Sequence, residues 1–342
     1  MKRTPGRRLR RSLLALIGAS SLVLAACGCD DAPASQESAA TDSAAADPVR
    51  IAMVAPSAIN DLAFTQSMYD SLQRVAKNRD ITIDVSDGLF IVEDAGAAIR
   101  GYAEDGYDVV IAHGTQFGGP LSEIAPDFPG VSFLWGTSTD FQGLDNIYAY
   151  SVRSDEGGYV NGTIAAQITE SGVIGVVGPV EAGDAKLYVD GFVAGATAQD
   201  PSVTVNVNYI ESFSDVALAA EAATSHLASG ADVLTGTAQM VVGATGVAQA
   251  EGIPWFGTQS NQTPLGADIV VASQVYHWEV ILETILDQIA GGKLGGEVFE
   301  LTLANGGLEI EFNDAFGLDA DILAAAEQTV ADLTSGAAST GL

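Results

Sequence analysis

The sequence predicts an α/β molecule made of two Rossmann-like lobes, each built on a parallel sheet, with a ligand cleft between them. Three observations carry that expectation. Short apolar runs alternate with helix-length amphipathic stretches from residue 49 onward, the pattern of strands buried on both faces and joined by right-handed helical crossovers. The series ends near residue 152 and starts over near residue 173. Roughly 300 residues of such chain exceed what one hydrophobic core usually holds, so two domains are expected.

In chain order, residues 1–26 read as an export leader. Lys2, Arg3, Arg7, Arg8, Arg10 and Arg11 precede an apolar run over 13–26, which is the charged and hydrophobic halves of a signal peptide and too short for a stable span. The run closes on Leu24-Ala25-Ala26-Cys27. Lipoprotein leaders resemble this arrangement, and the resemblance implies acylation of Cys27 as the first mature residue and residence at the outer face of a cell membrane. Arg10-Arg11-Ser12-Leu13-Leu14 also loosely resembles a twin-arginine motif; a merely basic leader is the other reading. Residues 30–47 (DDAPASQESAATDSAAAD) are small and polar, cannot bury enough surface to offset the entropy of ordering, and predict a tether over 27–47.

Charge narrows the partners. Removing the leader's six basic residues takes the net charge from -30 to -36, with 44 Asp+Glu facing 8 Lys+Arg. Nucleic acid is excluded as a partner on this ground, because it requires a basic patch that displaces counterions. Such a surface suits a salty medium, where screening over less than about 10 Å suppresses self-repulsion. Cys29 is the one other cysteine, so no disulfide framework is expected and the core must hold the fold.

The runs at 49–55, 81–85, 109–112, 131–135 and 147–152 predict the strands of the first lobe, with helices over 62–76 and 93–104. Those at 173–177, 203–210, 233–235, 255–256 and 269–272 predict the second set. Helices over 154–168 and 277–290 stand where the chain can cross between lobes. The apolar runs 298–303 and 308–312, divided by Asn305-Gly306-Gly307, read as a hairpin. The expected division is 48–152 plus about 276–297 for the first lobe, 153–275 plus about 298–334 for the second, and a disordered polar tail over 335–342.

Open α/β domains bind ligands outside the carboxyl ends of their strands, so the loops after strands hold the candidates. After the first strand come Asn60, Asp61 and Phe64. Asn60 suits a helix N-cap and Asp61 the first turn, while Phe64, Met68, Leu72 and Val75 recur at helical spacing, so structural and ligand-binding readings both stand. His113, Thr115 and Gln116 sit in a glycine-rich loop that lets a ligand approach the backbone. Trp135 is a cleft wall or a core residue, and Gly236 and Thr237 offer small polar groups after a later strand.

The string INDLAFTQSMYDSL at 59–72 resembles the corresponding pattern of the basic membrane protein family of receptor lipoproteins, whose best-known members bind purine nucleosides. Ile59, Asn60, Asp61 and Phe64 match it, and Ser57, Ala63, Thr65 and Asp70 depart from it. The resemblance continues through 156–162, 190–196, 212–215 and 230–233, in unbroken order over nearly the whole mature chain. It implies the type I periplasmic-binding-protein fold, Asn60 and Asp61 accepting or donating bonds to ribose or base, Phe64 stacking on a ring, and Tyr188 covering the opposite ring face. At 257–262 (GTQSNQ) the family resembles Gly-x-Asp-x-Asp-Gln, whereas this chain carries Gln259 and Asn261; amides donate as well as accept, which loosens the purine assignment.

No Gly-x-Ser-x-Gly, Gly-x-x-x-x-Gly-Lys-Ser/Thr or His-Glu-x-x-His motif is present, so a catalytic reading has no nucleophile, phosphate loop or metal to use. With three histidines and two cysteines, no metal or other cofactor is expected. The sequence therefore predicts a monomeric, lipid-anchored solute receptor, not an enzyme, that takes a purine nucleoside or similar ring compound to an ABC permease. The alternatives are a receptor feeding a membrane signalling partner, and a receptor for a nucleobase, riboflavin or sugar.

Overall fold

Val49 opens the first strand in a computed structural model that describes residues 47–342. The expected leader, Cys27 and all of the expected tether but its last residue lie outside the described residues. The first lobe runs β1 (Val49–Val54), α1 (Phe64–Val75), β2 (Ile81–Ser86), α2 (Val92–Glu104), β3 (Val109–His113), α3 (Gly118–Ile124), β4 (Ser132–Gly136) and β5 (Ile147–Val152). The chain crosses into the second lobe for α4 (Ser154–Ile168), β6 (Val173–Gly178), α5 (Gly183–Gln199), β7 (Thr204–Tyr209), α6 (Val216–Ala228), β8 (Val233–Gly236), α7 (Val241–Glu251), β9 (Trp255–Gln259) and β10 (Val270–Tyr276). It returns for α8 (Glu279–Ala290) and β11 (Glu297–Leu301), then crosses a third time for β12 (Leu308–Phe312) and α9 (Ala320–Ser335).

Two six-stranded sheets result, ordered β11-β5-β4-β3-β1-β2 and β12-β10-β9-β8-β6-β7. Every pairing is parallel except β12 on β10. The two α/β lobes expected from the sequence are present, and the fold is that of type I periplasmic binding proteins. Central strands such as β3 and β5 are buried along their whole length, whereas the edge strand β2 alternates between half-buried and exposed positions. That difference is the one between a strand covered on both faces and one at a sheet margin.

Three expectations are corrected at the C-terminal end. The runs around Asn305-Gly306-Gly307 do not form a hairpin: β11 pairs in parallel with β5 of the first sheet, and β12 pairs with β10 of the second. Turn chemistry fixes only the local bend, and here that bend joins two sheets. The run assigned to the second lobe from residue 298 therefore supplies an edge strand to the first. Residues 335–342 are not a free tail either, since Thr340 is buried and its hydroxyl donates to the Asp155 carboxylate at 2.6 Å.

In the second lobe α4 and α5 pack backbone against backbone. Gly158, Gly162, Gly191 and Gly195 face the neighbouring helix so closely that a Cβ on Gly195 would lie 2.0 Å from the Tyr159 carbonyl oxygen, and one on Gly162 2.1 Å from that of Phe192. Glycine is required there by contact rather than by dihedral angle.

Candidate functional site

In each sheet the strand order reverses between neighbours, at β1/β3 and at β6/β8, and an open α/β sheet leaves its crevice at such a reversal. The two crevices face each other across one cleft. Eight segments line it, one at or after the carboxyl end of each of β1 to β4 and β6 to β9. The first lobe contributes Pro56 and Phe64, Phe90, Gly114 to Gln116, and Thr137; the second contributes Asp184 and Ala185, Phe213, Ala238 and Gln239, and Gln259. About 40 Å³ of open space lies between them, well under the volume that a small-molecule ligand fills, so a ligand enters only where the lobes part.

Phe64 gives the cleft its clearest aromatic surface. One side of its ring stacks on His113, with centroids 3.8 Å apart and planes 9° from parallel, and Trp278 meets both rings edge-on. His113 is wholly buried, with Nδ1 2.7 Å from the Tyr150 hydroxyl and Nε2 3.1 Å from the Phe64 carbonyl. Burial pushes the imidazole down to about 3, against the opposing pull of that carbonyl, so it stays neutral. His113 thus supports Phe64 from behind and does not line the cleft.

Asp61 is occupied by the helix it precedes. Its carboxylate accepts from the Ser57 hydroxyl at 2.6 Å and from the backbone N–H groups of Ala63, Thr65 and Gln66 at 2.8, 3.1 and 3.1 Å. An ionised carboxylate offers about four acceptor positions, and these four donors fill them. Asp61 therefore holds the start of α1. Asn60, expected as the N-cap, is exposed and neither caps α1 nor lines the cleft.

The remaining sequence candidates divide by the direction in which their side chains run. Phe64, Thr115, Gln116 and Gln259 line the cleft. Trp135 lies beneath it, its ring against Gly118 and its indole N–H donating to the Thr115 carbonyl at 3.3 Å. Gly236 and Thr237 lead into Ala238 and Gln239 but do not line the space themselves. Tyr188 is wholly buried in the second lobe, bonded to Thr235 and Asn161, so it cannot cover a ring in the cleft. Asn261 turns away, its amide donating to Glu311 and its carbonyl accepting from the Thr263 N–H at 2.8 Å.

Sequence reasoning missed Phe90, Phe213, Thr137 and Asp184 as cleft residues. All four follow strands, so the rule that pointed to the other loops also covered theirs. Phe90 is 42% exposed on the rim, and Phe213 faces from the opposite lobe. Thr137 Oγ1 donates to Asp184 Oδ1 across the cleft at 3.1 Å and lies 2.9 Å from Thr115 Oγ1. Desolvation raises the Asp184 pKa, with bonds from Thr137, its own backbone, Ala185 and Tyr276 pulling the other way.

Backbone strain gathers at the same place. Ala238 and Gln259 both line the cleft with positive φ, 74° and 75°, a region that side chains with a Cβ enter at a cost of about 1–3 kcal/mol. The Gln259 Oε1 atom is buried without a hydrogen-bond partner. Beside it, Ser260 Oγ donates to the Ala63 carbonyl at 2.8 Å and Gln262 Nε2 to the Leu62 carbonyl at 3.2 Å, so this loop of the second lobe also grips the helix start of the first.

Near the crossings, His277 bonds Glu279 and Glu309 at 3.3 and 3.0 Å, and Glu279 pairs with Arg74. His277, Glu309 and Glu311 bring ligand-capable atoms within 4.8 Å of one another, but the direct bonds make this an ion-pair network tying β12 to the start of α8. Among the described residues, no helix is long and apolar enough to cross a membrane.

Residues 48–329 match the family model described as ABC transporter substrate-binding protein PnrA-like. The chain is 25% identical over 338 residues to the ABC transporter nucleoside-binding protein BmpA of Lactococcus lactis, covering 92% of this chain and 94% of that one. It is 29% identical over 185 residues to a purine-binding protein of Brucella abortus, a match spanning 54% of this chain and about half, 52%, of that protein. Among solved structures, an ABC transporter solute-binding protein from Conexibacter woesei superposes with a TM-score of 0.71 at 23% identity, over 85% of this chain and 98% of that one.

Proposed function

Because the chain belongs to the PnrA-like family of ABC transporter substrate-binding proteins, we propose that it is an extracytoplasmic lipoprotein receptor that closes its lobes on a purine nucleoside or similar ring compound. The observation that carries the ring is Phe64. Its ring is fixed by His113 and Trp278 and borders the cleft, so it presents a rigid aromatic surface that loses little freedom on stacking. Phe213 lines the same cleft from the other lobe, and Thr115, Gln116, Gln239 and Gln259 supply donors and acceptors for the polar edge of a base or sugar. The names of the Lactococcus and Brucella relatives support the same ligand class.

Cys27 is the proposed site of acylation, and the small polar segment after it the tether that keeps the receptor close to its permease. The protein acts as a monomer on this reading and performs no covalent chemistry.

Calorimetry of the purified chain against inosine, adenosine, guanosine, free nucleobases, riboflavin and sugars tests the proposal. A nucleoside is expected to bind most tightly. A sugar or riboflavin that binds while every nucleoside fails would replace the ligand assignment.

A further inference from the structure

Asp184 is the one charged side chain among the described residues that line the cleft. Its Oδ1 accepts from Thr137 Oγ1 of the opposite lobe at 3.1 Å. Its Oδ2 stands 3.5 Å from the Tyr276 hydroxyl, at the limit of hydrogen-bond length. The backbone N–H groups of its own residue and of Ala185 also hold it, so the carboxylate stands at the cleft wall as a fixed negative charge. A free acceptor, the unpartnered and buried Oε1 of Gln259, belongs to the same cleft wall. No Lys or Arg lines the space to balance a ligand anion.

We propose that Asp184 sets the charge class of the ligand: the cleft takes neutral or cationic solutes with hydroxyl or amino donors and rejects those that carry a phosphate or carboxylate. This deepens the receptor reading above and rests on it. A neutral or cationic ligand with a donor group satisfies the open Gln259 oxygen and meets no like charge beside the carboxylate. An anion placed beside the same carboxylate meets like charge where little water remains to screen it. The bond to Thr137 offers a second role for Asp184, as a latch that holds the lobes together. The two roles separate by substitution, since Asp184→Asn keeps an acceptor for Thr137 and loses the charge, whereas Thr137→Val removes the latch and keeps the charge.

The test pairs neutral compounds with their phosphates: inosine with inosine 5'-monophosphate, adenosine with its 5'-monophosphate, and ribose with ribose 5-phosphate, each titrated into the purified full chain by calorimetry. The wild type is expected to bind each neutral parent that it accepts at least about thirtyfold more tightly than the phosphate. Asp184→Asn should narrow that gap to about threefold or less, and Thr137→Val should weaken parent and phosphate alike. A phosphate bound by the wild type as tightly as its parent overturns the assignment, and so does an Asp184→Asn gap equal to that of the wild type. If ribose binds and no nucleoside does, the nucleoside reading falls while the ribose pair still decides the role of Asp184. Binding by none of the six compounds overturns both.

Discussion

Asp61 and Phe64 stand at the same helix start and serve different ends, one turned into the backbone and the other toward the cleft. Asp61→Ala would leave the N–H groups of Ala63, Thr65 and Gln66 without their acceptor, so chemical denaturation should show a loss of about 2 kcal/mol. Ligand affinity should change far less. Phe64→Ala should lower affinity at least about tenfold, through lost stacking and burial. His113 adds a pH signature. Its folded-state pKa of about 3 lies below the ordinary 6.5, so below pH 6.5 the unfolded chain takes up the proton and the native one does not. Stability is then fully present above pH 6.5 and falls as pH drops toward 3, by about 1.4 kcal/mol per unit from this group. His113→Phe should make the measured slope of unfolding free energy between pH 6 and 4 shallower by about that amount. Asp61 and Phe64 were legible as candidates because their loop follows a strand, but the division of roles was not: a carboxylate at a helix start caps or binds according to where its lone pairs point. Tyr188 failed for a related reason, since an aromatic residue near a Gly-Phe motif says nothing of which face of α5 it occupies.

At the scale of elements, the α4–α5 pair shows how spacing fixes geometry. Gly158 and Gly162 on one helix, and Gly191 and Gly195 on the other, recur every four residues and let the backbones touch. Gly162→Ala or Gly195→Ala would force a methyl group to about half the normal contact distance, and thermal or chemical denaturation should register a loss of about 1–3 kcal/mol. Gly246, exposed in α7 with no atom within 4 Å of the place a methyl group would take, gives the control: Gly246→Ala should stabilise by about 0.5–1 kcal/mol. Strand positions were legible because parallel strands buried on both faces leave continuous apolar runs. The partners of β11 and β12 were not, because apolar runs and a turn-forming Asn-Gly-Gly carry no record of which sheet receives each strand.

Across the whole molecule, acidic excess is the dominant long-range term. With 44 Asp+Glu and 8 Lys+Arg beyond residue 26, self-repulsion opposes the compact state and is screened as the Debye length shortens from about 30 Å at 0.01 M salt to about 3 Å at 1 M. The melting temperature should therefore rise between low and molar sodium chloride; a flat profile would remove the halophilic reading of the surface. The two-lobe architecture was legible from the restart of the strand series. The cross-cleft bond from Thr137 to Asp184 was not, because it depends on how two separately folded lobes meet.

The three crossings also govern how the protein can assemble as it emerges N-terminus first. Until Glu297 to Leu301 appears, β5 has no neighbour on its outer side, and until Leu308 to Phe312 appears, β10 has none. Through most of synthesis β5 and β10, buried along their whole length in the finished fold, therefore stand as bare sheet margins, and unpaired edges are templates for pairing with the wrong chain. The two lobes are finished almost together by the last stretch of polypeptide. A nascent copy would accordingly depend on being kept apart from its neighbours until its C-terminal portion is released, and a chain truncated before Glu297 would leave β5 and β10 bare.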